Sequence, residues 1–242
     1  MTSRNQLPNI LTCLNLLCGC VATVSVRDNV ILLGGMVFLA AIFDFMDGYA
    51  ARKLNANSDF GKQLDSLADM VTFGVVPGLI LFKLFTWHPE QTLLGSSILF
   101  HILKYFPFTV TVFAAFRLAK FNNDPRQKDF FLGLPTPAVG IFVTALPLII
   151  RFDSFGLSTM IINPYVILLI SSGLSALMVS EIPLFSLKFR DFTWRANKIQ
   201  FVFLFLSLAL IIFLQFTALP LIVILYILLS IVHYFVLKNI PA

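Results

Sequence analysis

The chain has 242 residues, 58% of them hydrophobic and only 12% charged, with a mean hydropathy of +0.91. A soluble domain carries about twice that share of charge, so a water-soluble core is excluded and a bilayer is the expected solvent. The net charge of +5 is scattered over short connections, with no basic domain and no aromatic-interleaved patch, which argues against a nucleic-acid partner.

Taken in chain order, the apolar runs predict eight membrane helices, at about 7–26, 30–53, 61–84, 94–119, 135–150, 160–180, 199–216 and 218–237. They are too long for barrel strands and do not alternate with period two. The first run resembles a signal peptide, but Asn9, Thr12 and Asn15 interrupt it at helical spacing and further spans follow at once, so it is expected to remain as a helix. Cys13, Cys18 and Cys20 all fall in this helix and are expected to be small packing residues rather than a disulfide framework. Turn chemistry or charge marks the breaks, as at Arg27-Asp28-Asn29, Asn55 to Asp59, His88-Pro89-Glu90, Asn122 to Lys128 and Arg190-Asp191. Pro8 and Pro135 fall near helix starts, where a missing N–H does no harm.

In the fourth span His101 and Lys104 share a face, and outward snorkelling of Lys104 is favoured over a buried substrate path. Glu181 is expected to cap the sixth span or to meet a charge from the 188–198 loop. His88 and His233 have no metal-ligand spacing. The expected architecture is one all-α, integral-membrane domain over residues 1–242, in contact with membrane lipids. Lipid-facing helices often pair, which leaves room for a homodimer.

Placing the N-terminus in the cytoplasm puts Arg4, Arg52, Lys53, Lys62, Arg117, Lys120, Arg126, Lys128, Lys188, Arg190, Arg195, Lys198 and Lys238 on the inner side, 13 of the 17 basic residues. Arg27, Lys83 and Arg151 fall outside. The positive-inside rule then sets both termini in the cytoplasm, with the protein in the cell's inner membrane.

The second span ends in Asp44-Phe-Met-Asp47-Gly48-Tyr-Ala-Ala51-Arg52, and the third opens with Gly61-Lys-Gln-Leu-Asp65-Ser-Leu-Ala-Asp69. Carboxylates at a membrane boundary are costly and usually functional. Asp44 and Asp47, three apart, share a helix face, as do Gly61, Asp65 and Asp69, four apart. The 53–60 connection makes the helices antiparallel, so both acidic faces can converge at the cytoplasmic end. Converging carboxylates repel unless cations lie between them, and hard oxygen ligands favour Mg²⁺ or Mn²⁺. Two such ions about 3.5–4 Å apart can clamp a diphosphate during in-line displacement. Gly48, Ala51 and Gly61 leave room for a nucleotide to approach the backbone, and Arg52 offers a planar fork to phosphate.

These residues resemble the signature of the CDP-alcohol phosphotransferase family, D-x2-D-G-x2-A-R-x8-G-x3-D-x3-D, at every fixed position from Asp44 to Asp69. The resemblance implies a six-helix core, two divalent ions, and CDP-diacylglycerol as the donor. It implies Asp44, Asp47 and Asp65 as metal ligands, and Asp69 as general base with a further role toward metal. It implies Gly48, Ala51, Arg52 and Gly61 as CDP-binding residues. Asn9 and Thr12, along one face of the first helix with Asn15, are candidates to line the nucleotide pocket or to bond between helices.

Flanking stretches resemble the membrane-embedded phosphatidylserine synthase branch. They are Leu7 to Asn15, Asp59 to Pro77, Arg117-Leu-Ala-Lys-Phe-Asn122 and Gly133-Leu-Pro-Thr-Pro137. Lys120 departs from the arginine expected in that branch. The branch implies L-serine as acceptor. Arg117 and Lys120 are candidate cations for its carboxylate, with Asn15, Asn122 and Thr136 as hydrogen-bonding candidates. Within the same chemistry the acceptor could instead be glycerol 3-phosphate or an inositol phosphate, or the lipid archaeal. A divalent-cation transporter and a non-catalytic CDP-lipid binder are the readings from other classes.

Overall fold

Several helices begin where the sequence supplies a cap or a tolerated proline. The computed structural model describes residues 6–56, 58–88, 93, 95–124, 131–153, 155–185 and 197–238. Arg4, Arg126, Lys128, Lys188, Arg190 and Arg195 of the basic set, with Pro89 and Glu90, lie outside the described residues.

Helix α1 spans Gln6–Ser25 and α2 spans Val30–Lys53. Asn29 starts α2 by accepting the Leu32 N–H at 2.9 Å, which satisfies one of the orphan donors of a helix start. Helix α3, Asp59–Asp69, is started in the same way by Ser58, which accepts the Gly61 N–H at 3.0 Å. A π-helical stretch, Met70–Val75, follows without a break and leads into α4, Val76–Thr86. The third expected span is therefore one helical column with a widened turn in its middle.

The fourth span is divided. Helix α5, Ser97–Leu103, and α6, Thr109–Asn123, are joined through a 3₁₀ turn at Phe106–Phe108. Pro107 in that turn has no N–H to continue an α-helical ladder. His101 is exposed, and the Lys104 ammonium sits 5.1 Å from the centre of the Tyr105 ring.

Helix α7 spans Thr136–Phe152. The expected sixth span is a short α8, Ser158–Ile162, followed by α9, Pro164–Val179. Pro164 cannot extend α8 but suits the first turn of α9, and Asn163 accepts the Tyr165 N–H at 2.9 Å. A two-residue ladder pairs β1, Phe131–Leu132, with β2, Pro183–Leu184, in antiparallel register. It ties the segment before α7 to the segment after α9. Helices α10, Lys198–Leu214, and α11, Ala218–Lys238, close the chain.

Among the described residues five helical stretches are long and apolar enough to cross a membrane: Gln6–Ser25, Val30–Lys53, Asp59–Thr86, Ser97–Asn123 and Lys198–Tyr234. The last contains both α10 and α11, which pack on each other after the chain reverses near Gln215 (φ +48°). Helices α7 and α9 are apolar but shorter, each about 25 Å long at 1.5 Å per residue. All eight expected apolar segments are thus helical, in an all-α membrane fold. In the most apolar 18 residues of the Asp59–Thr86 column 61% are buried inside the protein, against 17% for those of Lys198–Tyr234. The column is therefore the centre of the bundle, and α10–α11 form its edge. Phe73, Ile80, Leu81, Leu84 and Phe85 of the column pack with Leu33, Phe100 and Leu134 in the core.

At the end of the bundle away from the acidic residues, the Lys83 ammonium donates to the carbonyls of Val26 and Arg27, both at 2.6 Å. It meets the carbonyls that directly follow α1 while lying 5.0 Å over the Trp87 ring. A cation suits the negative end of a helix dipole.

Candidate active site

The acidic faces of α2 and α3 meet. Asp44, Asp47 and Asp65 each present a carboxylate oxygen, and these oxygens lie within 4.8 Å of one another. Helix spacing alone brings Asp44 and Asp47 to one face, and the short turn capped by Ser58 brings α3 back alongside. Asp47 is buried and receives a hydrogen bond from the Thr12 hydroxyl at 2.5 Å. Asp65 has a buried oxygen, Oδ1, with no hydrogen-bond partner.

An orphaned buried carboxylate oxygen is expensive unless a cation meets it. Oxygens sharing one octahedral Mg²⁺ at about 2.1 Å lie about 3.0 Å apart when adjacent and about 4.2 Å apart when opposite, so the three carboxylates would draw together by on the order of 1 Å around such an ion. The donor set therefore fits a hard divalent cation.

Asp69 lies one helical turn deeper, 7% exposed, and within electrostatic range of Asp44 and Asp65. Its Oδ1 accepts from the Asn15 side-chain amide at 3.2 Å. Arg117 of α6, also 7% exposed, acts electrostatically on both Asp69 and Asp44. Among the described residues it is the buried cation near these two carboxylates.

Beside the carboxylates opens a cleft of about 180 Å³. Asn9 and Thr12 of α1 form one wall, Gly48, Ala51 and Arg52 of α2 a second, and Gly61, Lys62 and Asp65 of α3 a third. The structure thus brings together all six residues expected to bind the nucleotide, with two of the expected metal ligands, Asp47 and Asp65, on the cleft surface. Arg52 is exposed at the rim, free to swing toward a phosphate.

The expected acceptor residues are more dispersed. Arg117 Nη1 lies 3.4 Å from the Thr136 hydroxyl, with Phe121 5.3 Å from the guanidinium, and its Nε has no hydrogen-bond partner. Lys120 faces Glu181 at 3.7 Å, so Glu181 meets a cation from α6. Asn122 donates to Ser66 at 2.8 Å. Asn15 faces Asp69 and Thr72 instead of open space.

Sequence reasoning missed Thr72, Ser58 and Ser66. A polar Thr72 three residues after Asp69 in an apolar run was the available signal for the first. Ser58, three before Gly61, was a readable N-cap.

The sequence profile of the CDP-alcohol phosphatidyltransferase family matches residues 5–171. That range includes every residue of the cleft and the carboxylate cluster, and excludes α10 and α11. A CDP-diacylglycerol–serine O-phosphatidyltransferase of Bacillus subtilis is 34% identical over 179 residues, which are 74% of this chain and 89% of that protein. The protein so named in Helicobacter pylori is 31% identical over 180 residues, 73% of this chain and 69% of its own. One from Methanocaldococcus jannaschii is 39% identical over 103 residues, 43% of this chain and 44% of its own.

Proposed function

The chain belongs to the CDP-alcohol phosphatidyltransferase family, and from that premise we propose that it transfers the phosphatidyl group of CDP-diacylglycerol to the hydroxyl of L-serine, releasing CMP. The observation that carries this reading is the meeting of Asp44, Asp47 and Asp65 beside a cleft walled by Gly48, Ala51 and Gly61. The choice of serine is supported by the names of the relatives from three organisms and by the flanking stretches from Leu7 to Pro137.

Asp44, Asp47 and Asp65 would hold two divalent cations, Mg²⁺ or Mn²⁺, with Asp69 beside them; when bound, such ions would neutralise the diphosphate and the departing CMP. The cytidine diphosphate lies in the cleft, where small side chains admit it and Arg52 binds a phosphate oxygen. Thr12 holds the Asp47 carboxylate by its hydroxyl, and Asn9 offers an amide to the nucleotide. Arg117 binds the serine carboxylate, with Thr136 beside it and Lys120 and Asn122 near the entrance.

Serine's hydroxyl is a weak nucleophile until its proton is removed. Asp69 takes that proton as the serine oxygen attacks the phosphatidyl phosphorus. The new O–P bond forms, the P–O bond to CMP breaks with its electron pair on CMP, and Asp69 later returns the proton to water. The carboxylates share an end of the bundle with Arg52, Lys53 and Lys62, which supports a reaction at the cytoplasmic face of the inner membrane. There the diacylglycerol tails remain in lipid while serine arrives from water.

The test is CMP release by the purified chain from CDP-diacylglycerol, with and without L-serine, glycerol 3-phosphate and EDTA. Serine-dependent release abolished by EDTA is the expected result. Release with glycerol 3-phosphate but not serine changes the acceptor. No release with any alcohol, together with Mn²⁺ flux into vesicles holding the protein, overturns the enzyme reading in favour of a transporter.

A further inference from the structure

Asp69 is not held by chance contacts. Asn15 is fully buried on α1, and its Nδ2 donates to Asp69 Oδ1 at 3.2 Å. Thr72, also fully buried, donates from Oγ1 to Asn15 Oδ1 at 2.9 Å. An ionised carboxylate only accepts hydrogen bonds, so the amide must turn its NH₂ to Asp69 and its oxygen to Thr72. A hydroxyl can satisfy that oxygen; an apolar side chain cannot. The Asn15 backbone carbonyl, 3.3 Å from Thr72 Oγ1, is the longer alternative.

Two features of the chain let Thr72 reach α1. Gly19 lies one turn beyond Asn15, and a Cβ there would collide with Thr72 Oγ1. The π-helical stretch that begins directly after Asp69 contains Thr72, and its wider turn changes the angle between residues 69 and 72 from that of an α-helix. Such bulges recur at functional sites.

We propose that Thr72 and Asn15 form a buried positioning relay, admitted by Gly19, that fixes the direction of the Asp69 carboxylate for proton transfer from the acceptor alcohol. This rests on the reading of Asp69 as proton acceptor. The relay touches neither substrate. It acts on rate by keeping a catalytic oxygen in line, where misplacement by about 1 Å can cost on the order of 100-fold.

The deciding variant is Thr72→Val, which keeps the shape against Gly19 and removes the donor. The expected result is a fall in kcat of at least about tenfold, with KM for CDP-diacylglycerol and for serine changed by less than about threefold and thermal unfolding close to that of the parent. Thr72→Ser, which restores the hydroxyl, should recover most of the rate. If Thr72→Val does not insert into membranes, Thr72→Ala takes its place with the same readouts.

A lowered unfolding temperature with unchanged kcat would make these residues helix glue and overturn the proposal. Equal losses in the Val and Ser variants would show that the hydroxyl does not by itself carry the effect, and would overturn it too. Asp69→Asn separates the two levels. If that variant turns over normally, the base assignment itself fails; if it is inactive while Thr72→Val keeps full kcat, the base stands and the relay falls.

Discussion

Replacing Gly133 by alanine tests the joint between the acceptor side of the site and the rest of the bundle. Gly133 has φ +76°, a left-handed conformation that costs an L-residue about 1–2 kcal/mol. A Cβ there would lie 2.5 Å from the Met178 carbonyl oxygen, 2.8 Å from that of Ser180 and 3.2 Å from that of Leu177. These oxygens belong to backbone and cannot rotate away as a side chain would. The local backbone is also engaged, since the Gly133 N–H donates to Ile182 at 3.0 Å and the Leu134 N–H to Leu177 at 2.9 Å. Relieving the clash therefore strains or breaks those bonds, adding about 1–3 kcal/mol, the usual cost of overpacking.

The total for Gly133→Ala is about 2–5 kcal/mol, which by the scaling for chains of this size lowers the unfolding midpoint by roughly 5–20 °C. The assay is thermal unfolding in detergent, followed by residual CMP release after heating. Two controls calibrate it. Gly156, at φ +65° with nothing within 4 Å of a built Cβ, should lose only about 1–2 kcal/mol on becoming alanine. Gly173, exposed in α9 with no neighbour within 4 Å and no left-handed backbone, should lose nothing and gain up to about 1 kcal/mol of helix propensity. A Gly133→Ala midpoint equal to that of the parent, or to that of Gly173→Ala, would refute the carbonyl cage.

Asp65→Asn removes a charge from the carboxylate cluster and is expected to weaken Mn²⁺ binding by at least 10–100-fold, measured by titration of the metal against purified protein, with CMP release falling in parallel. Ala51→Leu fills the cleft and is expected to raise KM for CDP-diacylglycerol by roughly 5–150-fold, the equivalent of about 1–3 kcal/mol of overpacking, while KM for serine stays level. Lys83→Met leaves the carbonyls of Val26 and Arg27 without their ammonium and is expected to cost about 1 kcal/mol in thermal unfolding. CMP release per folded molecule should not change, because Lys83 sits at the other end of the bundle.

Hydropathy alone located the eight helical segments, because in a bilayer every spanning backbone must satisfy itself as helix. The cluster was legible because three- and four-residue spacings and one short connection are local quantities. What escaped was set by contacts between distant residues. No local feature of Asn15 distinguishes an amide that meets a ligand from one that braces Asp69, 54 positions away. Lys120 and Glu181 lie on different elements and pair only after α9 folds against α6. The β1–β2 ladder is two residues long on each side, too short for any alternation to register. The break at Asn163-Pro164 was written in the chain as an Asn-Pro pair, and reading the apolar run as continuous overlooked it.

The widened turn at Met70–Val75 has a consequence for how this chain tolerates length change. Successive α-helical residues advance by about 100°, so an extra residue within one span resets the azimuth of everything after it. The half before it aims Asp65 and Asp69 at one target, while the half after it aims Ile80, Leu84 and Phe85 at another. Deleting a single residue between 70 and 75 would let the widened turn close to an α-helical one, five residues at about 100° each replacing six at about 80° each, so the second half would keep nearly the same azimuth. A one-residue insertion has no such slack and would turn part of that apolar set toward lipid, unseating the central column while leaving the hydropathy profile almost untouched.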